Sequence, residues 1–207
     1  MNTLLKLAVA VAIGVSTYYA IVRVAEEKAN ALAGGGTFVL DERSPAEWTA
    51  FGALRERLRQ WDEPDLATTL FRLQEGGDLW VAPDLEERQS AIYVNALNVV
   101  TRIFVRRDEL VARELPFPDL DVPESAQRTF ATIRLAGTLV HELQHYEGLE
   151  DEAETYAREI AWYEGLRARR LERLAGEEGR WFEWAVDSAI RTATAAREKA
   201  EADGPGS

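Results

Sequence analysis

The hydrophobic pattern begins with a run from Leu7 to Val22, LAVAVAIGVSTYYAIV, that carries no charge and gives way to Arg23, Glu26, Glu27 and Lys28. With Lys6 and Arg23 snorkelling at its ends the run reaches about 20 residues, close to what a helix needs to span a bilayer. Residues 1–33 are therefore expected to form a membrane anchor or signal-like segment, with membrane association through residues 4–25. Tyr18 and Tyr19 disfavour signal cleavage close to the run. An apolar leader on an otherwise polar chain most simply serves export or anchoring. The expected location is membrane-anchored or exported, with the remainder extracytoplasmic. The competing reading is a helix buried in the core, since Gly14, Ser16 and Thr17 are tolerated inside a protein.

Gly34-Gly35-Gly36 (34–36) reads as a flexible linker, with one domain expected over 37–201 and a disordered tail over 202–207. Thr37 to Leu40 has the composition of a short strand. Ser44-Pro45 then opens a helix with Trp48, Phe51, Leu54, Leu58 and Trp61 along one face, ended by Pro64. A shorter apolar segment surrounds Leu70 and Phe71, and Gly76-Gly77 turns into a strand at Leu79 to Val81. Ile92 to Val94 and Val99 to Val105, rich in β-branched and aromatic residues, read as one or two strands. Pro116, Pro118 and Pro123 make a rigid connection, after which a helix runs unbroken to about Glu147, where Gly148 stops it. Two more helices are expected, from about Asp151 to Leu174 and from Trp181 to Glu201, with Gly176 and Gly179 between them. The pattern is α+β: a small sheet packed on a buried helix, and a mainly helical C-terminal half.

The helix before Gly148 is apolar over well more than half its circumference, through Phe130, Ile133, Leu135, Ala136, Gly137, Leu139, Leu143 and Tyr146. Its remaining strip holds Arg134, Thr138, His141, Glu142 and His145. A polar strip on a buried helix needs partners, a cleft or a metal.

Composition narrows the chemistry. The 207 residues carry a net charge of −12 with basic residues interleaved among acidic ones, so no nucleic-acid partner is expected. The absence of cysteine excludes disulfides, thiolate metal sites and a cysteine nucleophile, leaving histidine and carboxylates for metal chemistry. The chain has two histidines, His141 and His145, four apart on the polar strip, where their imidazoles converge on one ion. Glu142 lies about 100° around the helix from His141, within reach of a water on that ion. The HExxH spacing thus supplies two zinc ligands and a general base.

Thr138 to Tyr146 resembles the zincin metallopeptidases, with Glu147 departing from the hydrophobic residue usual after the motif. The resemblance implies a zincin-like fold and hydrolysis of peptide bonds in a peptide or protein substrate by zinc-activated water. A third ligand is required, and the chain has no third histidine. The acidic start of the next helix, Glu150-Asp151-Glu152-Ala153-Glu154, supplies carboxylates; the gluzincin branch takes a glutamate from the following helix, and Glu152-Ala153-Glu154-Thr155-Tyr156 looks like that element. Glu152 is the first choice and Glu154 the second. The spacing from His141 to Asp151 is also similar to the metzincin pattern, with Asp151 in the third ligand's place, although that branch carries a methionine turn and the one methionine here is Met1. Most of these carboxylates are expected simply to stabilise a helix N-terminus. Tyr156 and Tyr93 are the candidates for stabilising an oxyanion, and Arg134 is expected to be an ion-pair partner. Two other classes compete: a non-catalytic metal-binding or scaffolding module, and a di-iron carboxylate protein built on Glu142 and His145, which needs a second Glu-x-x-His that the chain lacks.

Overall fold

A computed structural model describes residues 3–85, 89–111, 115–117 and 119–203, with 3–10 as backbone alone. The elements in order are α1 (Thr3–Leu32), β1 (Phe38–Val39), α2 (Pro45–Gln60), α3 (Pro64–Gly76), β2 (Leu79–Ala82), β3 (Ala91–Ala96), β4 (Val100–Arg106), α4 (Arg107–Leu110), α5 (Glu124–Tyr146), α6 (Glu152–Leu171) and α7 (Gly176–Asp203). The class is α+β, with one small mixed sheet among helices. Pro118 and residues 204–207 lie outside the described residues.

The sheet runs β1-β2-β4-β3, with β2 and β4 parallel and both outer pairs antiparallel. Alternation along β4 sends Ile103 and Val105 into the main core with α5, and Phe104 and Val100 into a second cluster on the other face. Apolar residues on both faces explain why this strand reads as a nearly continuous hydrophobic run. Strand β3 forms the sheet edge beside α5, with Tyr93 packed on the main core and Val94 and Ala96 on the opposite face.

That opposite face is covered by the second half of α1. Ala25, Ala29 and Ala33 are fully buried there, their small side chains letting the helix lie close to the strands. Arg102 of β4 stacks on Trp80, 3.7 Å from the ring centroid, and donates to Glu26 at 2.9 Å, fixing the helix against the sheet. Among the described residues no helix is long and apolar enough to cross a membrane, which overturns the expected transmembrane span. The physical reason is that the charged and alanine-rich half of α1 continues the same helix and belongs to the folded core. Gly34, Gly35 and Gly36 all have positive φ, and they turn the chain from α1 into β1. Gly34 lies so close to the Asp84 carbonyl that an added Cβ would stand 2.5 Å from it.

On the other side, α5 is wedged between the sheet and the α6–α7 pair. Phe130, Ile133, Leu139 and Leu143 fill the main core together with Tyr163, Leu166, Phe182 and Val186. Helix α7 starts at Gly176, five residues before the expected Trp181, and α4 was not expected at all. Helices α5 and α6 meet at Gly137, where an added Cβ would stand 2.0 Å from the Tyr163 hydroxyl and 2.2 Å from Cζ. Gly137→Ala ought to gain stability from helix propensity, about 1 kcal/mol in an exposed helix. Here the clash with a fully buried ring decides the sign, and urea denaturation is expected to show a loss of about 1–3 kcal/mol. A stabilised variant would contradict this packing.

Candidate functional site

The end of α5 builds the site. Gly148, at φ +98°, lets the chain turn out of the helix, with Leu149 N–H donating to the Gln144 carbonyl at 2.9 Å. The turn aims the Leu149 carbonyl at His145 Nδ1, 2.6 Å away. A carbonyl only accepts, so Nδ1 carries a proton, and Nε2 is the atom through which the neutral ring would ligate a metal. Asp151 then caps α6 by accepting from Glu154 N–H at 2.9 Å, and Glu152 begins the helix facing back towards α5.

Three side chains meet there. His141 Nε2 lies 3.2 Å from His145 Nε2 and 3.3 Å from Glu152 Oε2, while His145 Nε2 lies 3.3 Å from the other carboxylate oxygen, Oε1. Ligands about 2.0–2.1 Å from zinc in a tetrahedron are separated by roughly 3.3 Å, so each of these contacts has the length expected between two ligands of one ion. Two nitrogens this close cannot both direct protons at each other, whereas two lone pairs and a carboxylate suit a cation. His141 is 8 % exposed and Glu152 56 %, so the cluster is closed behind and open in front. An open side is what distinguishes a catalytic metal site from a structural one.

The other acidic candidates are otherwise engaged. Asp151 is the N-cap, and Glu154 pairs with Arg158 at 2.6 Å on the exposed side of α6. Glu147 is exposed at the helix end.

Sequence reasoning missed the support behind His141. Its Nδ1 is buried and lies 3.3 Å from Glu159 Oε2, an ionic contact whose geometry falls short of a hydrogen bond. Glu159, itself buried, accepts from the Tyr163 hydroxyl at 2.8 Å. Glu152, Glu159 and Tyr163 follow at seven and four residues along one face of α6, and that spacing was the available signal.

Glu142 is buried beside the cluster, and its Oε2 accepts from the Tyr93 backbone N–H at 2.6 Å. Edge strand β3 thereby fixes the carboxylate. Burial pushes its pKa up to about 7, against the pull of His141 and His145. Burial works against charge on His141, but the carboxylates of Glu152 and Glu159 outweigh it and hold its pKa at about 9. The same imidazoles hold Glu152 well below the usual carboxylate range. Tyr156 packs its ring 4.4 Å from that of His141, and burial with the nearby Glu152, Glu159 and Glu142 pushes its hydroxyl to about 12, so it stays an O–H donor. The Tyr93 ring is stacked 6.2 Å from His145.

These groups line a cleft of about 610 Å³ bounded by β3, α5, α6 and α7, a volume suited to a short polymer segment or small molecule. Comparison with protein-family models, with curated proteins and with solved structures finds no match. The chemistry of the cleft therefore has to be argued from its own residues.

The division of labour among the acidic residues is measurable by urea denaturation. Asp151→Ala is expected to cost about 1 kcal/mol through the lost cap. Glu154→Ala, which removes an exposed ion pair, should stay within about 1 kcal/mol of the parent and fall below the cap's effect. Equal losses would remove the distinction.

Proposed function

We propose that this chain is a zinc-dependent hydrolase that cleaves peptide bonds, of the zincin type and gluzincin-like in its ligands. The observation that carries the proposal is the triangle of His141, His145 and Glu152, with spacings of 3.2–3.3 Å, beside a buried carboxylate that makes no part of it. A purely structural or scaffolding site has no use for Glu142, because a buried acid costs stability.

Zinc, when bound, supplies Lewis acidity that activates water and polarises the carbonyl under attack. The chain's own residues do the rest. His141 and His145 present Nε2, with Glu159 and the Leu149 carbonyl setting the two rings from behind. Glu142 receives the proton of the attacking water and delivers it to the leaving amine, its position held by the Tyr93 N–H. Tyr156 offers its hydroxyl to the oxygen that gains charge. The walls of β3 and α7 hold the substrate chain against this face.

Metal analysis and a peptide-library digest on the same preparations test the assignment. The parent chain is expected to hold one zinc and to cleave peptides. Glu142→Gln should keep its zinc and lose turnover at least about 100-fold, whereas His145→Ala should lose both. A parent chain without zinc, or a Glu142→Gln variant as depleted as His145→Ala, would overturn these roles. Glu159→Ala separates support from ligation: chelator competition is expected to show zinc affinity weakened about 10–100-fold rather than abolished.

A further inference from the structure

Arg134 is the one Lys or Arg among the described residues lining the cleft, where the other ionisable groups include the carboxylates of Glu142, Glu150, Glu152 and Glu159. It lies seven residues before His141 on the same stripe of α5, two helical turns away, which is about 10 Å along the axis. Its Nη2 donates to Glu109 of α4, a carboxylate only 10 % exposed, so the guanidinium is anchored from behind. Its Nε is buried without a partner, and the side chain is still 34 % exposed. A guanidinium has five N–H donors in a rigid fork, more than one carboxylate behind it satisfies. Thr138, one turn on towards His141, lines the stretch between the cation and the metal-ligand triangle.

Resting on the peptidase reading above, we infer that Arg134 is a specificity residue that receives a carboxylate of the substrate about two to four residues from the cleaved bond. The register follows from length. An extended peptide advances about 3.3 Å per residue, so about 10 Å corresponds to roughly three residues, and the reach of the arginine side chain shortens or lengthens this by one. The carboxylate belongs either to the free end of a short peptide or to an acidic side chain. Both offer the same planar pair of oxygens, which an arginine fork recognises through two parallel bonds. Away from the two histidines, the other ionisable side chains that line the cleft include Glu142, Glu150, Glu152 and Glu159, which repel such a group.

The test uses binding as well as turnover. The full chain carrying Glu142→Gln, loaded with zinc, is titrated calorimetrically with matched peptides that end in a free acid or an amide, and with amidated peptides carrying Glu or Gln three residues from the bond. A carboxylate form is expected to bind about 10- to 100-fold more tightly than its neutral partner. A preference confined to the free acid assigns the terminal carboxylate; one confined to Glu over Gln assigns the side chain. Adding Arg134→Gln should bring the ratio to about 1, with Arg134→Lys retaining part of it. The comparison of acid with amide needs no Arg134 variant, so it stands even if that variant folds poorly.

Equal binding of charged and neutral forms overturns the inference, and so does a preference that survives Arg134→Gln. With native Glu142, cleavage of acid and amide at equal kcat/KM also overturns it while leaving the peptidase reading intact. Binding that prefers the carboxylate, without cleavage of any peptide, refutes the peptidase reading and keeps Arg134 as a carboxylate receptor.

Discussion

Two imidazoles at the end of a buried helix and the Glu152 carboxylate facing them, in contact at 3.2–3.3 Å, form the constraint around which the rest of the structure is arranged. Imidazole and carboxylate groups brought so close are stable only with positive charge among them. The protein supports that arrangement from behind, through the Leu149 carbonyl, Glu159 and Tyr163, and leaves it open towards the cleft. Rigidity comes from packing: the face of α5 opposite the triangle is locked into the main core, and Gly137 lets α6 approach until Tyr163 fills the space.

The sheet contributes more than a wall. Because β3 lies at its edge, the Tyr93 N–H is available to a side chain, and it takes up Glu142. Strand β4 beside it is covered on both faces, by the main core and by the alanine stripe of α1. The position of the proposed base therefore depends on packing that begins at Ala25 and Arg102, far in sequence from Glu142.

How much of this was legible depended on whether the signal was local. The strands, the helix carrying His141 and His145 and its stop at Gly148 follow from short-range pattern, and the preference for Glu152 from the gluzincin resemblance; the structure brings His141, His145 and Glu152 together. The support behind His141 was not read, since Glu159 looks like any acidic residue on an amphipathic helix until α6 is folded back on α5. The apolar run before Arg23 misled for the opposite reason: its local composition suggested a span, while the burial of Ala25, Ala29 and Ala33 on the sheet is a tertiary fact. The pairing of His141 with His145 was within reach of helical spacing; the substrate was not, because the cleft is assembled from four elements distant in sequence.

Whether His141, His145 and Glu152 hold zinc is measured most directly by zinc-edge X-ray absorption on the stoichiometrically loaded chain. The predicted result is a shell of nitrogen and oxygen at about 2.0–2.1 Å in which two imidazoles are resolved and at least one light ligand is exchangeable. A chain that takes up no stoichiometric zinc, or a bound ion whose shell contains no imidazole, would contradict it.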